Sequence, residues 1–116
     1  MVTRRGVANQ GDLYRVPLDP TEGSEIRGTR PVLVLSNYDF NLGGRVLVAP
    51  ITQGGNFDRV AGWAVTLMGS GTVTQGAAVI SQCRVLDLKA RRAIKIESGP
   101  AELVEEALAK LQAMIE

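Results

Sequence analysis

Short apolar stretches, some alternating with polar residues and some continuous, recur between residues 12 and 96. Tyr14, Val16 and Leu18 alternate on one face of a first predicted strand, 12–18. Continuous apolar runs at 31–37 and 46–52 predict two strands that are buried on both faces. We expect further short strands at 63–67, at 77–83 with an extension over 84–86, and at 93–96.

The connections between these strands are rich in glycine, proline and charge. The segment 19–30 is a long charged loop, and such loops on a rigid sheet often carry function. A connection at 38–45, a loop beginning with Gln53-Gly54-Gly55-Asn56, a turn at 69–76 and a helical turn around Lys89 complete the set. Pro50 cannot donate a ladder hydrogen bond, so its strand should bulge, lie at an edge or end there.

The period of the pattern changes near the end of the chain, from 100 to 115. Pro100 suits the first turn of a helix. One helical face carries six apolar residues: Leu103, Val104, Ala107, Leu108, Leu111 and Ile115. We predict a mainly β (α+β) fold over a single domain, 1–116. In this fold a small SH3-like barrel of antiparallel strands is closed by a C-terminal amphipathic helix.

Composition places the chain among ordinary globular proteins. Hydrophobic residues make up 45% and charged residues 22% of the 116 residues, which argues against disorder. The net charge of +1 does not by itself indicate a nucleic-acid partner, although a local basic patch can suffice. Such a patch is present between 84 and 95, where five basic residues accompany one acidic residue. These basic residues either face phosphates or form an ordinary solvated surface.

The presence of one cysteine and the absence of histidine limit the chemistry that the chain can perform. Cys83 is the single cysteine, so neither an intramolecular disulfide nor a cysteine-built zinc site can form. The chain has no histidine, the commonest metal ligand and acid–base group near neutral pH. We therefore expect no metal and no cofactor. The first ten residues do not resemble a signal peptide, and no apolar run is long enough to span a bilayer, which favours a cytoplasmic protein.

The two buried strands permit one geometric prediction. If they form an antiparallel hairpin in which Ser36 pairs with Val46, then Arg30 lies opposite Thr52. Directly opposed residues point to the same face of a sheet, so the two side chains can act together. A slip of one residue would send one of them to the other face.

The guanidinium, hydroxyl and carboxylate groups that would meet beside Arg30 and Thr52 are suited to binding a phosphodiester. The charged loop ends at Arg30, so Glu25 and Arg27 can lie over the same place. A guanidinium presents a fixed fork of donors to phosphate oxygens, and the Thr52 hydroxyl can donate to a third oxygen. An ordinary surface ion pair between Arg30 and Glu22 or Glu25 remains the alternative.

The order of these short motifs resembles one family of bacterial toxins. The signature of MazF-type toxins is similar to Gly11-Asp12-Leu13-Tyr14, Asp19-Pro20-Thr21, Gly23-Ser24-Glu25, Gly28-Thr29-Arg30-Pro31 and Ala49-Pro50-Ile51-Thr52. The segments 53–57, 61–62, 82–84 and 87–91 resemble the PemK/ChpB branch in particular. The resemblance runs from about Gly11 to the C-terminal helix.

The resemblance implies a fold, an activity and a set of partners. The fold is a MazF/CcdB-type barrel that forms a homodimer. The activity is metal-independent cleavage of single-stranded mRNA at a short recognition sequence, by attack of the ribose 2′-hydroxyl to leave 2′,3′-cyclic phosphate and 5′-hydroxyl ends. The partner is a cognate antitoxin of a type II toxin–antitoxin system, whose C-terminal tail covers the RNA site. The catalytic roles fall on Arg30, Thr52 and Glu25.

The chain departs from the PemK branch at three positions. In that branch a histidine in the first loop and an Arg-x-Asp pair on a later strand have catalytic roles, whereas this chain has Ser24, Val79 and Ser81 there. The scheme built on those residues cannot operate here. The arginine, threonine and glutamate scheme of the MazF branch remains available.

Contacts to the RNA are expected from six residues beside the catalytic three: Ser24, Arg27, Gln82, Arg84, Lys89 and Arg91. Two other functions stay open. One is a non-catalytic toxin of the same fold that binds DNA gyrase, as CcdB does, but that activity depends on a tryptophan near the C-terminus, which 113–116 lacks. The other is a catalytically dead relative that binds RNA or antitoxin.

Overall fold

The computed structural model describes residues 6–53 and 62–116, in which seven strands and two α-helices are found. The strands are β1 (Asp12–Pro17), β2 (Thr29–Val34), β3 (Val46–Thr52), β4 (Ala64–Thr66), β5 (Ala77–Val79), β6 (Arg84–Leu86) and β7 (Ile94–Ser98). The helices are α1 (Tyr38–Asn41) and α2 (Ala101–Ile115). The predicted loop at Gly54, Gly55 and Asn56 lies outside the described residues, as do residues 1–5.

All the strand pairs are antiparallel, in the order β4-β5-β3-β2-β1-β7, with β6 also paired to β3. One sheet and one long C-terminal helix confirm the mainly β (α+β) class. No helix in the described parts of the chain is both long and apolar enough to cross a membrane.

The register of β2 against β3 is the one that the sequence predicts. Val32 lies opposite Pro50, and Val34 lies opposite Val48. Just beyond the ladder, the Leu35 N–H donates to the Leu47 carbonyl over 2.8 Å. Because side chains alternate between faces along a strand, this register fixes which face of the sheet carries Arg30 and Thr52.

Pro50 lies inside the sheet, at the point along β3 where the neighbouring strand changes from β6 to β5. The bond between Leu35 and Leu47 shows that odd-numbered residues of β3 direct their backbone groups toward β2. The nitrogen of Pro50 therefore faces the other side, where β6 pairs with Val46–Val48 and β5 pairs with Ile51 and Thr52. A proline is tolerated there because no ladder hydrogen bond is lost.

Both faces of the central strands are buried, which accounts for their continuous apolar sequences. On one face, β-strand residues such as Leu33 and Ile51 pack with Leu103 and Ala107 of α2. On the other face, Val16, Val32, Val34 and Val48 pack with Leu18 and Ile26 from the loop that follows β1. The long charged loop is thus anchored by apolar residues and covers one face of the sheet.

Three predicted elements differ from the structure. The strand expected over 77–83 ends at Val79 and continues as a single 3₁₀ turn, Ile80–Gln82, because the fully buried Ile80 carries the chain from one partner segment of β3 to the next. The connection 38–45 contains α1, whose start is capped by Asn37 accepting from the Phe40 N–H. Ile115, expected on the buried face of α2, is 71% exposed in the last turn.

Candidate active site

A cleft of about 250 Å³ opens between the charged loop and the middle of the sheet. The loop contributes Ser24, Glu25 and Ile26, β3 contributes Pro50, and the segment from the 3₁₀ turn into β6 contributes 81–84. The cleft therefore collects four of the residues that the sequence assigned to catalysis or RNA binding: Ser24, Glu25, Gln82 and Arg84.

Three side chains that are distant in sequence hold the loop in place. Gln82 accepts from the Ile26 N–H over 2.7 Å and donates to the Ser24 carbonyl over 3.3 Å. Arg84 Nη1 donates to the Leu18 carbonyl over 3.2 Å. Arg91 Nη1 donates to the carbonyls of Pro17 and Asp19 over 3.1 and 3.0 Å. Gln82, Arg84 and Arg91 are here called the loop clamp.

The loop is also closed by its own carboxylates. Glu25 Oε1 accepts from the Glu22 N–H over 2.6 Å, and the Glu25 N–H donates to the Glu22 carbonyl. Asp19 Oδ2 accepts from the Gly28 N–H over 3.2 Å, across the base of the loop. The Glu25 side chain is exposed at the rim of the cleft and retains a second carboxylate oxygen for other partners.

Arg30 and Thr52 lie at the ends of their strands, one pair beyond Val32 and Pro50. In this register both side chains point to the face that carries Pro50, at about 7 Å along the strands from the Val32–Pro50 pair. Both residues are half-buried. Arg30 Nε donates to the Arg27 carbonyl over 2.7 Å, which orients the plane of the guanidinium. Continued by one pair, this register brings Arg30 and Thr52 to the face of the sheet that carries Pro50, which itself lines the cleft.

The alternative of a surface ion pair receives no support from the described residues. Within 6–53 and 62–116, the one ion pair joins Lys95 to the buried Asp12 over 3.5 Å. Glu25 instead accepts a backbone hydrogen bond within its own turn. In the described part of the chain, Arg30 is therefore not neutralised by a carboxylate.

Thr52 is fixed from its other side by the turn before β5. Thr52 pairs with Ala77, and Gly76 has a φ of 115°, a conformation that favours glycine. A β-carbon at position 76 would overlap the Thr52 carbonyl oxygen. Gly76 thus allows the turn to pass directly against the backbone of Thr52.

A carboxylate holds the same turn to β7. Glu97 accepts from the Val73 N–H over 3.0 Å, from the Thr74 N–H over 2.8 Å and from the Thr74 hydroxyl over 2.7 Å. Burial acts to raise the pKa of Glu97, but the hydrogen bonds from Thr74 and Val73 outweigh it and hold that pKa below its ordinary value. The sequence did not single out Glu97.

Three of the six residues expected to contact RNA do not line the cleft. Lys89 lies beside a second groove of about 830 Å³, together with Lys95, Tyr14 and Leu88. Arg91 lies at the base of the loop, where it donates to backbone carbonyls. Arg27 is exposed on the loop and donates to the Gly23 carbonyl over 3.1 Å.

Several residues of the cleft were not predicted from the sequence. Ile26 and Cys83 line it, as does Ser81, which the sequence identified only as a departure from the PemK pattern. Burial raises the pKa of the Cys83 thiol more than its backbone hydrogen bond lowers it, so this thiol is a poor nucleophile near neutral pH. The described residues contain no group of three or more histidine, cysteine, aspartate or glutamate side chains that could hold a metal ion.

Comparisons with known proteins agree with this fold and identify the family. The family described as PemK-like, MazF-like toxin of type II toxin–antitoxin system matches residues 9–115. The chain is 45% identical to the endoribonuclease toxin ChpB of Escherichia coli strain K12, over 99% of this chain and all of the relative. The structure superposes on crystalline MazF of Deinococcus radiodurans with a TM-score of 0.83 at 29% identity, covering 94% of this chain and 96% of that chain. It superposes on the MazE–MazF complex (Form-III) of the same organism with a TM-score of 0.76 at 28% identity, covering the same shares of the two chains. The chain therefore belongs to the PemK-like, MazF-like toxins of type II toxin–antitoxin systems, as its sequence motifs predict.

Proposed function

We propose that this endoribonuclease toxin cleaves single-stranded mRNA at a short recognition sequence without a metal ion, with Arg30, Thr52 and Glu25 as its catalytic residues. The observation that supports the proposal is the register of β2 against β3, which pairs Val32 with Pro50, a residue that lines the cleft whose rim holds Glu25, and, continued by one pair, brings Arg30 opposite Thr52. We also propose that residues 1–116 act as a single toxin domain.

The reaction suits an attack by the ribose 2′-hydroxyl on the adjacent phosphorus. The bond from phosphorus to the 5′-oxygen breaks, which leaves a 2′,3′-cyclic phosphate and a 5′-hydroxyl. Arg30 stabilises the negative charge that develops on the phosphoryl oxygens, and preorganised donors of this kind usually supply the largest single contribution to catalysis. Its hydrogen bond to Arg27 supports the proposal, because an oriented guanidinium needs no rearrangement during the reaction.

The other two residues bind the phosphate and assist proton transfer: the 2′-hydroxyl proton leaves to Glu25 or to water, and the departing 5′-oxygen takes a proton from water. The Thr52 hydroxyl donates to the phosphate from the neighbouring strand. Glu25 accepts the proton of the 2′-hydroxyl or holds Arg30 in its productive orientation, since a guanidinium is too basic to act as the general base. Ser24, Arg27, Gln82, Arg84, Lys89 and Arg91 are the residues proposed to contact or frame the RNA.

The protein works with an antitoxin, as expected for its family. The MazE–MazF complex is a toxin held by its antitoxin, and its toxin has the fold described above. We propose that the antitoxin tail of this system covers the cleft and the Arg30–Thr52 edge. We further propose that the toxin is a cytoplasmic homodimer, which light scattering of the purified protein would test.

The experiment is cleavage of a long unstructured RNA in excess EDTA. We expect cuts at one short sequence, with cyclic phosphate on one product and a 5′-hydroxyl on the other. A substrate with a single 2′-deoxyribose before the scissile bond should resist cleavage, because it lacks the attacking group. Cleavage of that substrate at the same bond, or a requirement for a divalent metal, would overturn the mechanism. The family match does not favour the gyrase-binding or catalytically dead alternatives, for which RNA would remain uncut.

A further inference from the structure

We propose that Gln82 is a positioning residue that holds Glu25 at the cleft, instead of reading the RNA through its own amide. The inference rests on the proposed function, in which Glu25 acts in catalysis. It contradicts the role expected for Gln82 from the sequence, which was a direct contact with the substrate. The observation that carries it is a pair of hydrogen bonds made on the two sides of Glu25.

The amide of Gln82 bridges the residues that flank Glu25. Its oxygen accepts from the Ile26 N–H over 2.7 Å, and its nitrogen donates to the Ser24 carbonyl over 3.3 Å. Glu25 lies between these two contacts, so the path of its backbone is fixed at both neighbouring residues. Only one orientation of the amide satisfies both partners, because the oxygen cannot donate and the nitrogen cannot accept.

Gln82 is well suited to this task because its own backbone is anchored. It ends the 3₁₀ turn that follows β5, and the turn is closed by the Cys83 N–H, which donates to the Ile80 carbonyl. Ile80 is fully buried in the core against α2. The two hydrogen bonds of Gln82 therefore tie the rim of the cleft to the core. They join residues that are distant in sequence, since Gln82 and Ile26 are 56 residues apart.

Among the residues that the structure describes, no other hydrogen bond ties the loop to the sheet at this point. Glu25 is exposed, and its hydrogen bonds with Glu22 close a local turn without tying it to the sheet. Ile26 packs partly on the core, which fixes its side chain but not the direction of the preceding peptide. Loss of the Gln82 bridge should therefore allow the Ser24–Ile26 segment to shift while the fold persists. A displacement of about 1 Å at a catalytic group can cost roughly 100-fold in rate.

The test is a double-mutant cycle between Gln82 and Glu25. Gln82→Met removes both hydrogen bonds and keeps the size of the side chain, and Glu25→Gln removes the carboxylate. The two single variants and the double variant are compared with the wild type on a short RNA that contains the mapped cleavage sequence. Gln112→Met, an exposed substitution on α2, is the matched control and should leave both kcat and KM unchanged.

We expect Gln82→Met to lower kcat by roughly 10- to 100-fold with KM changed by less than about threefold. In the Glu25→Gln background the same substitution should have almost no further effect, because the group it positions is already absent. The amide proton of Ile26 should also exchange faster with solvent in Gln82→Met. Should that variant fail to fold, Gln82→Glu keeps an acceptor for Ile26 and removes the donor to Ser24, and it should give a smaller loss of kcat.

Four results would overturn the assignment. Losses that multiply in the double variant would show that Gln82 acts independently of Glu25. A raised KM with unchanged kcat would show that Gln82 binds RNA directly. Full activity of Gln82→Met beside an inactive Glu25→Gln would remove the positioning role alone and leave the proposed function intact. Full activity of Glu25→Gln would instead refute the catalytic role of Glu25, and the positioning role with it.

Discussion

The two loops beside the candidate active site are held by different side chains. Amide and guanidinium groups hold the first loop, and a carboxylate holds the second. In the loop 18–28, backbone carbonyls accept from the loop clamp, and one backbone N–H donates to the amide oxygen of Gln82. In the loop 69–76, by contrast, two backbone N–H groups and a hydroxyl donate to the single carboxylate of Glu97.

The difference matters because each loop sets a different part of the site. The first loop carries Glu25 and spreads its support over three side chains, so that the loss of one clamp residue leaves the other two in place. The second loop passes against Thr52 at Gly76, and a single carboxylate, that of Glu97, ties it to β7. We therefore expect single substitutions and acid to lower the free energy of unfolding more when they affect the second loop than when they affect the first.

The largest difference should come from matched glycine substitutions in the two loops. In Gly76→Ala the new β-carbon would overlap the Thr52 carbonyl at a φ that disfavours alanine, so we expect a loss of about 2–4 kcal/mol. At Gly23 (φ 57°) a β-carbon would meet nothing within 4 Å, so Gly23→Ala should cost only about 1 kcal/mol. Urea unfolding of both variants measures the two values. Equal losses would contradict the close approach at Thr52.

A smaller effect is expected from the carboxylate that holds the second loop. Glu97→Gln keeps one acceptor oxygen and loses the charge that strengthens three hydrogen bonds, so we expect a loss of about 1–2 kcal/mol at neutral pH. Glu105→Gln, an exposed substitution on α2, is the matched control and should change stability by less than about 0.5 kcal/mol. If both variants are equally stable, Glu97 does not anchor the loop.

The same carboxylate predicts an acid dependence. Because the pKa of folded Glu97 lies below its ordinary value, its contribution to stability is complete above the pKa of the unfolded chain and is lost as the pH falls through the folded pKa. The difference in Tm between the wild type and Glu97→Gln should therefore be constant near neutral pH and shrink below about pH 4. A difference that stayed constant down to pH 2 would contradict the depressed pKa.

The smallest effect is expected from one member of the loop clamp. Arg91→Met loses two half-exposed hydrogen bonds while Arg84 and Gln82 remain, so we expect a loss of about 0.5–1 kcal/mol. RNA binding across a series of salt concentrations then separates two roles. A residue that only holds the loop leaves the salt slope unchanged, whereas loss of a phosphate contact reduces the slope by about one. Arg45→Met, an exposed substitution before β3, serves as the control.

The features that the sequence predicted correctly are those encoded locally. β3 spans the predicted range, and β2 pairs with β3 in the register that was assumed from the sequence. With that register assumed, Arg30 was expected opposite Thr52. The helix was predicted from its apolar period, although Ile115 in its last turn lies outside the buried face.

The features that the sequence did not predict depend on contacts between distant segments. Gln82 lies 56 residues from Ile26, and Arg91 lies 74 residues from Pro17, so no local pattern identifies these partners. The basic residues 84–95 were open to two interpretations, and Arg84 and Arg91 prove to donate to the loop backbone. The 3₁₀ turn at Ile80–Gln82 likewise follows from the change of partner along β3, which the sequence of β5 does not reveal.

The most direct test of the proposed site is the rate of RNA cleavage by Arg30→Ala beside Arg45→Ala, both confirmed as folded, in excess EDTA. If Arg30 supplies the preorganised charge at the phosphate, Arg30→Ala should lower the rate by at least about 100-fold, as expected for the loss of one such donor, and Arg45→Ala should cleave like the wild type. Unchanged cleavage by Arg30→Ala would contradict the assignment of the site to the facing ends of β2 and β3.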